Sequence, residues 1–470
     1  MRLSEGARLA DWIRRSDSLS DRFLWGRAEA VTLASVVDCP TISDAGAFTD
    51  RSVLVLTQRP LSAARALVEL DGVARRMIIC PPGLGDEQLG WLAETGCFDA
   101  AVVDHDRPVV SQAGIVAWIE PAGAAFAPRR PIAKADTDWV MFTSGTTGAP
   151  KLVVHTLRGL TGAIGPRAVD RDAPVWGTFY DVRRYGGLQI LLRALLEGAS
   201  LVFAEPGEDA AEFMGRLATR RATHITGTPS HWRTALMHSA IEAIRPSYIR
   251  ISGEIADQPL LNALRTQVPG AAIVHAYAST EAGVGFEVDD ELEGFPAGLL
   301  EPKGGPVQIR VRNDVLQVRS ERTARCYLDQ SLSLMDEEGF VDTGDVVERR
   351  GERFFFAGRR GGIINVGGLK VHPEEVEAVI NSHPDVRSSR VRGRRNPISG
   401  MVVVAEVVPA ADLDSLDASS LRDEILSICS DRKLERYKIP MRITFVAALP
   451  MTSGGKLARD ETTVPAPKSG

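Results

Sequence analysis

Short runs of consecutive apolar residues alternate with helical patterns through the first three quarters of this 470-residue chain. Between the runs, segments such as 60–73 and 211–221 place their apolar residues at helical spacing. Strands and helices in alternation predict a layered α/β architecture with parallel sheets, whose strands are buried on both faces. The runs with the pattern of buried strands are 52–57, 76–80, 100–104, 200–204, 223–227, 248–252 and 272–278.

The pattern changes near residue 310. Segments 307–320 and 348–360 have the alternation and the polar turns of hairpin or barrel strands. After Arg359 the chain starts again with a smaller α+β pattern. Because a chain of 470 residues exceeds what one hydrophobic core supports, we predict two domains. These are a large multi-sheet α/β domain with a barrel-like segment, residues 1–357, and a small mobile α+β lid, residues 358–470.

Composition excludes several classes of function. The 55 Lys and Arg residues against 61 Asp and Glu leave a net charge of −6, which argues against a basic nucleic-acid-binding surface. Five widely spaced cysteines without a CxxC pair are typical of a reduced, cytoplasmic chain with no zinc site. The N-terminus lacks the apolar core of a signal peptide, and no apolar run is long enough to span a membrane. We therefore expect a cytoplasmic protein with small-molecule partners.

The strongest local signal is the segment 143–151, TSGTTGAPK, which follows a short apolar run. Its backbone N–H groups and hydroxyls can face an anion, and Lys151 adds a positive charge. Leu152 stands where the common nucleoside-triphosphatase loop needs Ser or Thr for magnesium, so the segment is a different phosphate loop. The alternative is a flexible surface turn, which does not need a terminal lysine. The predicted phosphate-binding residues are Thr143, Ser144, Gly145, Thr146, Thr147, Gly148 and Lys151.

This segment resembles the phosphate loop of the acyl-adenylate-forming superfamily, which includes acyl-CoA synthetases, adenylation domains of peptide synthetases and firefly luciferase. Other segments resemble further motifs of that family, in the same order along the chain. They are 277–281 (YASTE), 342–345 (DTGD), 358–377 and 450–459. The matches span about two thirds of the chain, whereas residues 1–142 carry no matching motif.

The resemblance implies an AMP-forming ligase. A carboxylate is a poor electrophile, and adenylation with ATP gives it a good leaving group before transfer to a thiol. We expect ATP, Mg²⁺ and coenzyme A, the last because no carrier domain follows residue 470. A separate carrier protein is the alternative acceptor. A nucleotide-binding relative without thioester-forming activity, and oxidative chemistry of the luciferase kind, are the rival functions.

The same resemblance implies roles for residues around the nucleotide. Glu281 would hold magnesium, as a hard carboxylate does, and Thr280 would bond the α-phosphate. Tyr277 would offer a ring face to adenine, while Asp345 would accept the ribose hydroxyls with Arg359 reaching the same sugar. The local alternatives are a helix cap at Thr280 and a turn at Asp345. The stretch near the adenine, Ser252, Gly253 and Glu254, is one glycine shorter than the family's usual pattern.

Lys456 is the predicted catalytic residue, together with Thr280 and Glu281. Its charge would bridge the substrate carboxylate and the α-phosphate in the transition state. The alternative is a solvated lysine in a loose tail. Lys456 is far in sequence from the other motifs, so a mobile small domain must deliver it. Gly361 stands at the family's pivot position and can absorb large backbone changes.

The acyl group is expected near a stretch in which two arginines lie beside two tyrosines. Such residues suit a short or aromatic acid with a second polar group, because arginine pairs with carboxylates in a bidentate manner. The alternative is a set of salt bridges with Asp181 and Glu197. The predicted substrate residues are Tyr180, Arg183, Arg184 and Tyr185.

Overall fold

The computed structural model describes residues 8–16, 19–105, 113–120, 136–143, 151–165, 173–238, 240–301, 305–366, 369–396, 400–413, 416–452 and 456–458. The predicted α/β class is confirmed: two large sheets with parallel centres pack in layers with helices, and smaller sheets follow toward the C-terminus. Each of the seven apolar runs forms a strand in one of the two large sheets.

The first large sheet has seven strands in the order β18-β8-β7-β4-β3-β5-β6. Its centre is parallel, and its antiparallel pairs are β7 with β8 and β8 with β18. The strands are β3 (Ser52–Leu56), β4 (Arg76–Ile79), β5 (Ala100–Val103), β6 (Ile115–Trp118), β7 (Asp138–Phe142), β8 (Leu152–Thr156) and β18 (Cys326–Tyr327). Helices α3 (Pro60–Leu70) and α4 (Asp86–Glu94) connect the first of them.

The second large sheet has eight strands in the order β14-β13-β12-β11-β9-β10-β1-β2, parallel except at its two edges. The strands are β1 (Phe23–Trp25), β2 (Ala30–Thr32), β9 (Val175–Thr178), β10 (Ser200–Phe203), β11 (His224–Gly227), β12 (Tyr248–Ser252), β13 (Ala272–Ser279) and β14 (Gly283–Val288). The helices of this part are α1 (Leu9–Ile13), α2 (Leu33–Asp38), α5 (Leu157–Thr161), α6 (Tyr185–Glu197), α7 (Ala210–Thr219), α8 (Pro229–Ala235), α9 (Ala240–Ile244) and α10 (Gln258–Gln267).

The predicted barrel-like segment is a five-stranded antiparallel sheet in the order β15-β20-β19-β17-β16. Its strands are β15 (Phe295–Pro296), β16 (Val307–Arg312), β17 (Val315–Ser320), β19 (Val341–Arg350) and β20 (Arg353–Arg359). Short 3-10 helices lie at Leu19–Asp21, Ala45–Phe48, Ala297–Leu300 and Arg360–Gly362.

The C-terminal part is a small α+β unit, as its sequence pattern predicts. It contains a two-stranded sheet, β21 with β22, and a three-stranded sheet in the order β23-β24-β25. Its elements are β21 (Ile364–Val366), β22 (Leu369–Val371), α11 (Pro373–Ile380), β23 (Val386–Asn396), β24 (Gly400–Pro409), α12 (Ala418–Asp431) and β25 (Arg442–Phe445). These elements share a hydrophobic core of their own.

The main core lies between the two large sheets, where α3 and α6 fill the space with apolar residues such as Leu67 and Leu188. Helix α4 covers the opposite face of the first sheet, and α7, α8 and α10 cover that of the second. Strands buried on both faces need continuous apolar runs, which explains why the sequence predicts these strands. Among the described residues, every helix is too short or too polar to span a lipid bilayer.

Candidate active site

Four neighbouring strands of the eight-stranded sheet, β9, β11, β12 and β13, end at one edge because they run parallel. The residues that follow them are the predicted substrate stretch, Thr228, the stretch 252–254 and the Thr280–Glu281 pair. The crevice outside the carboxyl ends of such strands is the usual ligand position in open α/β sheets. Strand order therefore brings together segments that are distant in sequence.

Thr280 and Glu281 lie in the turn of a hairpin between β13 and β14. The helix-cap alternative is wrong, since no helix begins here. The turn is fixed from both sides: Ala324 N–H donates to the Glu281 carbonyl (2.9 Å), and His155 Nε2 donates to the Thr280 carbonyl (2.8 Å). Burial lowers the pKa of His155 to about 4, so its ring is neutral near pH 7. The backbone of the Thr-Glu pair is thus held independently of any ligand.

The predicted phosphate loop is joined at its two ends to the antiparallel strands β7 and β8, where Thr143 N–H donates to the Lys151 carbonyl at 2.9 Å. Lys151 is exposed, and its Nζ lies 5.5 Å from the centroid of the Tyr327 ring. Burial raises the pKa of Tyr327, and the nearby Glu281 carboxylate raises it further. Glu281 therefore lies near the base of the loop. Ser144, Gly145, Thr146, Thr147 and Gly148 fall outside the described residues.

Tyr277, Asp345 and Arg359 form one hydrogen-bonded group. The Tyr277 hydroxyl donates to Asp345 Oδ2 (2.6 Å), and Arg359 Nε donates to Asp345 Oδ1 (3.0 Å). Asp345 lies within strand β19 opposite Arg359 on β20, so the turn alternative is wrong. A carboxylate oxygen has room to accept two hydrogen bonds. Asp345 therefore retains capacity for ribose hydroxyls. Burial and the Asp345 carboxylate raise the pKa of Tyr277 well above its usual value.

The Tyr277 ring stands in an aromatic row. It is nearly parallel to the ring of Phe286, at 5.3 Å between centroids, and to that of Phe356, at 5.4 Å. A Cβ at Gly285 would lie 3.1 Å from the Tyr277 ring. The row and the glycine together hold the ring in place, and its hydroxyl points to Asp345.

Lys456 lies beside residues 450–452; the described residues 450–452 and 456–458 are termed the lysine loop here. Thr452 N–H donates to the Lys456 carbonyl (2.7 Å), and Ala458 N–H donates to the Pro450 carbonyl (2.9 Å). The surrounding protein desolvates the ammonium and lowers its pKa, while the nearby Glu254 carboxylate partly offsets this. The residue nevertheless keeps solvent contact. Lys456 therefore projects into an open cleft of the N-terminal part.

The stretch 252–254 meets the lysine loop. Ser252 accepts a hydrogen bond at its carbonyl from the Tyr180 hydroxyl (2.7 Å). Gly253 has φ +90°, and a Cβ there would lie 3.1 Å from Cε of Lys456. Glu254 Oε1 accepts from Leu457 N–H at 2.8 Å. The sequence offers no signal for this contact, because it joins residues more than 200 positions apart.

Arg183 does not face the predicted acyl pocket. Its side chain is fully buried, and its guanidinium pairs with Asp181 at 2.6 Å and donates to the carbonyls of Thr57 and Gln58. The salt-bridge alternative therefore holds for Arg183 with Asp181, whereas Glu197 pairs with Arg193 instead. With its donors used inside the fold, Arg183 has no role for a substrate.

The other predicted substrate residues lie at the cleft or beneath it. Arg184 is close enough to Lys456 to lower that pKa, and burial lowers the pKa of Arg184 itself. Tyr180 is buried beneath Ser252. Tyr185, the first residue of α6, is also buried, with its ring 5.5 Å from that of His155. Arg184 is thus the residue of this stretch that brings charge near Lys456.

Comparison with known proteins shows the family to which the chain belongs. The AMP-binding enzyme family matches residues 62–319, and the C-terminal domain of AMP-binding enzymes matches residues 375–456. A 2-succinylbenzoate–CoA ligase of Bacillus mycoides (strain KBAB4) is 25% identical over 450 residues, covering 90% of each chain.

Two solved structures share the fold. An anthranilate CoA ligase, AuaEII, in complex with anthranoyl-AMP has a TM-score of 0.78 at 17% identity, covering 97% of this chain and 96% of that one. The o-succinylbenzoate CoA synthetase of Bacillus subtilis in complex with its acyl-adenylate has a TM-score of 0.72 at 19% identity, covering 97% and 98%. The chain belongs to the AMP-binding enzyme family, within the adenylate-forming superfamily, and is an ATP-dependent, AMP-forming acid–thiol ligase.

Proposed function

We propose that this chain activates a small carboxylic acid with ATP as an acyl-adenylate and then transfers the acyl group to coenzyme A. The position of Lys456, in the cleft near Asp345 and Arg359, carries the proposal. A substrate carboxylate and the α-phosphate of ATP repel each other. A cation held between them stabilises the charge that develops in the transition state.

In the first step a carboxylate oxygen of the acid attacks the α-phosphorus, and pyrophosphate leaves. Lys456 stabilises the charge on the pentavalent phosphorus, and Thr280 positions the α-phosphate. Asp345 accepts hydrogen bonds from the ribose, with Tyr277 and Arg359 holding its carboxylate. Glu281 would hold the Mg²⁺ that accompanies ATP, since a carboxylate oxygen is a ligand that this ion prefers. The segment 143–151 would hold the β- and γ-phosphates.

In the second step the thiol sulfur attacks the acyl carbonyl carbon, and AMP leaves. The curated relatives are named CoA ligases, which supports coenzyme A as the acceptor. We place the domain boundary between residues 357 and 358 and the hinge at Gly361, which lies in the short helix Arg360–Gly362. A Cβ at Gly361 would meet no atom within 4 Å. A side chain at this position would therefore meet open space.

The test is a panel of short, aromatic and long-chain carboxylic acids, offered with ATP and Mg²⁺ while pyrophosphate release is measured. Each acid is run alone, with coenzyme A, and with pantetheine, which carries the same thiol arm as a carrier protein. We expect acid-dependent pyrophosphate release and a thioester with coenzyme A. ATP binding without acid-dependent pyrophosphate release would favour a nucleotide-binding relative. A thioester with pantetheine but not with coenzyme A would favour a carrier protein.

For the acid, we propose an aromatic or short molecule with a second polar group. The named substrates of the relatives, succinylbenzoate and anthranilate, are of this kind. Arg184 is the residue that favours such an acid, because its guanidinium is the positive charge that this stretch brings near Lys456, and a second polar group on the acid would pair with it.

We expect Arg184→Leu to raise the KM for the preferred acid by roughly tenfold or more, the equivalent of one charged hydrogen bond, and to leave the KM for ATP nearly unchanged. Arg183→Leu is the matched comparison. It breaks a buried ion pair, so it should cost about 3–5 kcal/mol of stability instead, seen as a lower Tm. An Arg184→Leu enzyme with wild-type affinity for the acid, or rapid turnover of an unsubstituted long-chain fatty acid, would contradict this pocket.

A further inference from the structure

The carboxylate of Glu254 joins two distant parts of the chain. Its Oε2 accepts a hydrogen bond from Ser230 N–H (2.9 Å), in the first turn of α8, and its Oε1 accepts from Leu457 N–H (2.8 Å). Both donors are backbone amides, and both distances are those of strong, charge-assisted bonds. Glu254 thus ties the sheet edge of the cleft to the residue that follows Lys456.

The neighbouring glycine shapes the same contact. A Cβ at Gly253 would lie 3.1 Å from Cε and 3.6 Å from Nζ of Lys456, so the lysine stem runs directly over the Gly253 backbone. The Glu254 carboxylate also favours the charged form of Lys456. The stretch therefore contacts both the backbone and the side chain of the lysine loop.

The lysine loop is held on its other side by its own domain. Arg390 Nη1 donates to the Ala458 carbonyl at 2.8 Å, and its guanidinium pairs with Glu406 on β24 at 2.6 Å. These bonds lie within the C-terminal unit and persist whatever its position. The Glu254–Leu457 bond, in contrast, exists only when the C-terminal unit is docked on the cleft.

We propose that Glu254 is a positioning residue that holds the lysine loop in the adenylating position and must release Leu457 before the thiol step. This rests on the proposed two-step function. It adds a second role to the stretch 252–254, whose role beside the adenine stays a prediction. Loss of the bond should slow adenylation, which needs Lys456 in the cleft, and spare transfer from a finished adenylate, which does not.

Glu254→Gln is the sharpest variant, because it keeps size and shape. One amide oxygen remains as an acceptor, but the NH₂ group faces a backbone N–H donor, so one of the two bonds is lost. Glu69→Gln is the matched control. The Glu69 carboxylate also accepts from two backbone amides, those of Thr41 and Ile42, but it lies buried in helix α3.

The experiment measures each half-reaction separately, with pyrophosphate release for adenylation and thioester formation from preformed acyl-adenylate for transfer. We expect Glu254→Gln to slow adenylation on the order of tenfold, as loss of one charged hydrogen bond allows, with transfer unchanged or faster. The KM values for ATP and acid should stay within about twofold, since ground-state binding is untouched. Glu69→Gln should lower the Tm and leave the ratio of the two rates unchanged.

The pH profile gives a second readout. Glu254 and Asp345 favour the charged form of Lys456, whereas burial, Arg359 and Arg184 oppose it. Removing the Glu254 charge should move the alkaline limit of adenylation to lower pH. Adenylation and transfer that fall together, or an adenylation rate within twofold of wild type, would overturn the proposal.

A third readout is independent of activity. Arg360, beside the proposed hinge, is exposed, and trypsin should cleave after it faster in Glu254→Gln than in wild type or Glu69→Gln. Equal cleavage rates would overturn the proposal. If wild-type protein releases no pyrophosphate with any acid, the proposed function fails, while the cleavage rates still decide whether Glu254 holds the two parts together.

Discussion

Lys456→Ala is expected to lower the rate of adenylate formation on the order of 100-fold or more, the usual cost of removing one preorganised transition-state contact. ATP should still bind, because Asp345, Tyr277 and the predicted phosphate loop are untouched. Thioester formation from a preformed adenylate should change far less, since that step transfers the acyl group and not the adenylyl group. Pyrophosphate release and single-turnover transfer, measured on the same preparation, check both statements.

Lys433→Ala is the control for this variant, because Lys433 is an exposed lysine of the C-terminal unit, just after helix α12. It should behave as wild type in both half-reactions. Adenylation by Lys456→Ala at the wild-type rate would remove Lys456 from the catalytic role. Transfer that falls as steeply as adenylation would indicate damage to the domain as a whole.

Glu281→Gln is expected to raise the Mg²⁺ concentration needed for half-maximal adenylation by at least roughly tenfold, the lower end of the loss found for residues that only support a metal ligand. A neutral amide is a poorer ligand for a hard cation than a carboxylate. The maximal rate should fall as well. The backbone of the turn is held by His155 and Ala324, so the variant should fold normally.

Glu321→Gln serves as the control, since Glu321 is an exposed glutamate on the same part of the chain. Its Mg²⁺ titration should match that of wild type. A Glu281→Gln titration that also matches wild type would place the metal on other groups. A lower Tm for Glu281→Gln would point instead to a structural role of the turn.

The sequence was sufficient for the elements that report on their own surroundings. A parallel strand buried on both faces needs a continuous apolar run. The strands within 52–57 and 248–252 can therefore be predicted without any knowledge of the strands beside them. Motifs such as TSGTTGAPK and DTGD are equally local, and their order along the chain identifies the superfamily. Local pattern is weaker where one motif suits two conformations. Thr280 is compatible with a helix cap, yet it lies in a hairpin turn. Asp345 is compatible with a turn, yet it lies in a strand.

Only the tertiary structure decided which partner each polar side chain has. Arg183 and Arg184 are adjacent in sequence and identical in type. Arg183 pairs with Asp181 and donates to two backbone carbonyls, whereas Arg184 lies near Lys456. Glu254 meets Leu457 across more than 200 residues, because the order of parallel strands and the docking of the C-terminal unit set that contact. Periodicity and residue type report burial and short-range geometry. They carry no information on which distant donor will face a given carboxylate, and here that choice defines the candidate active site.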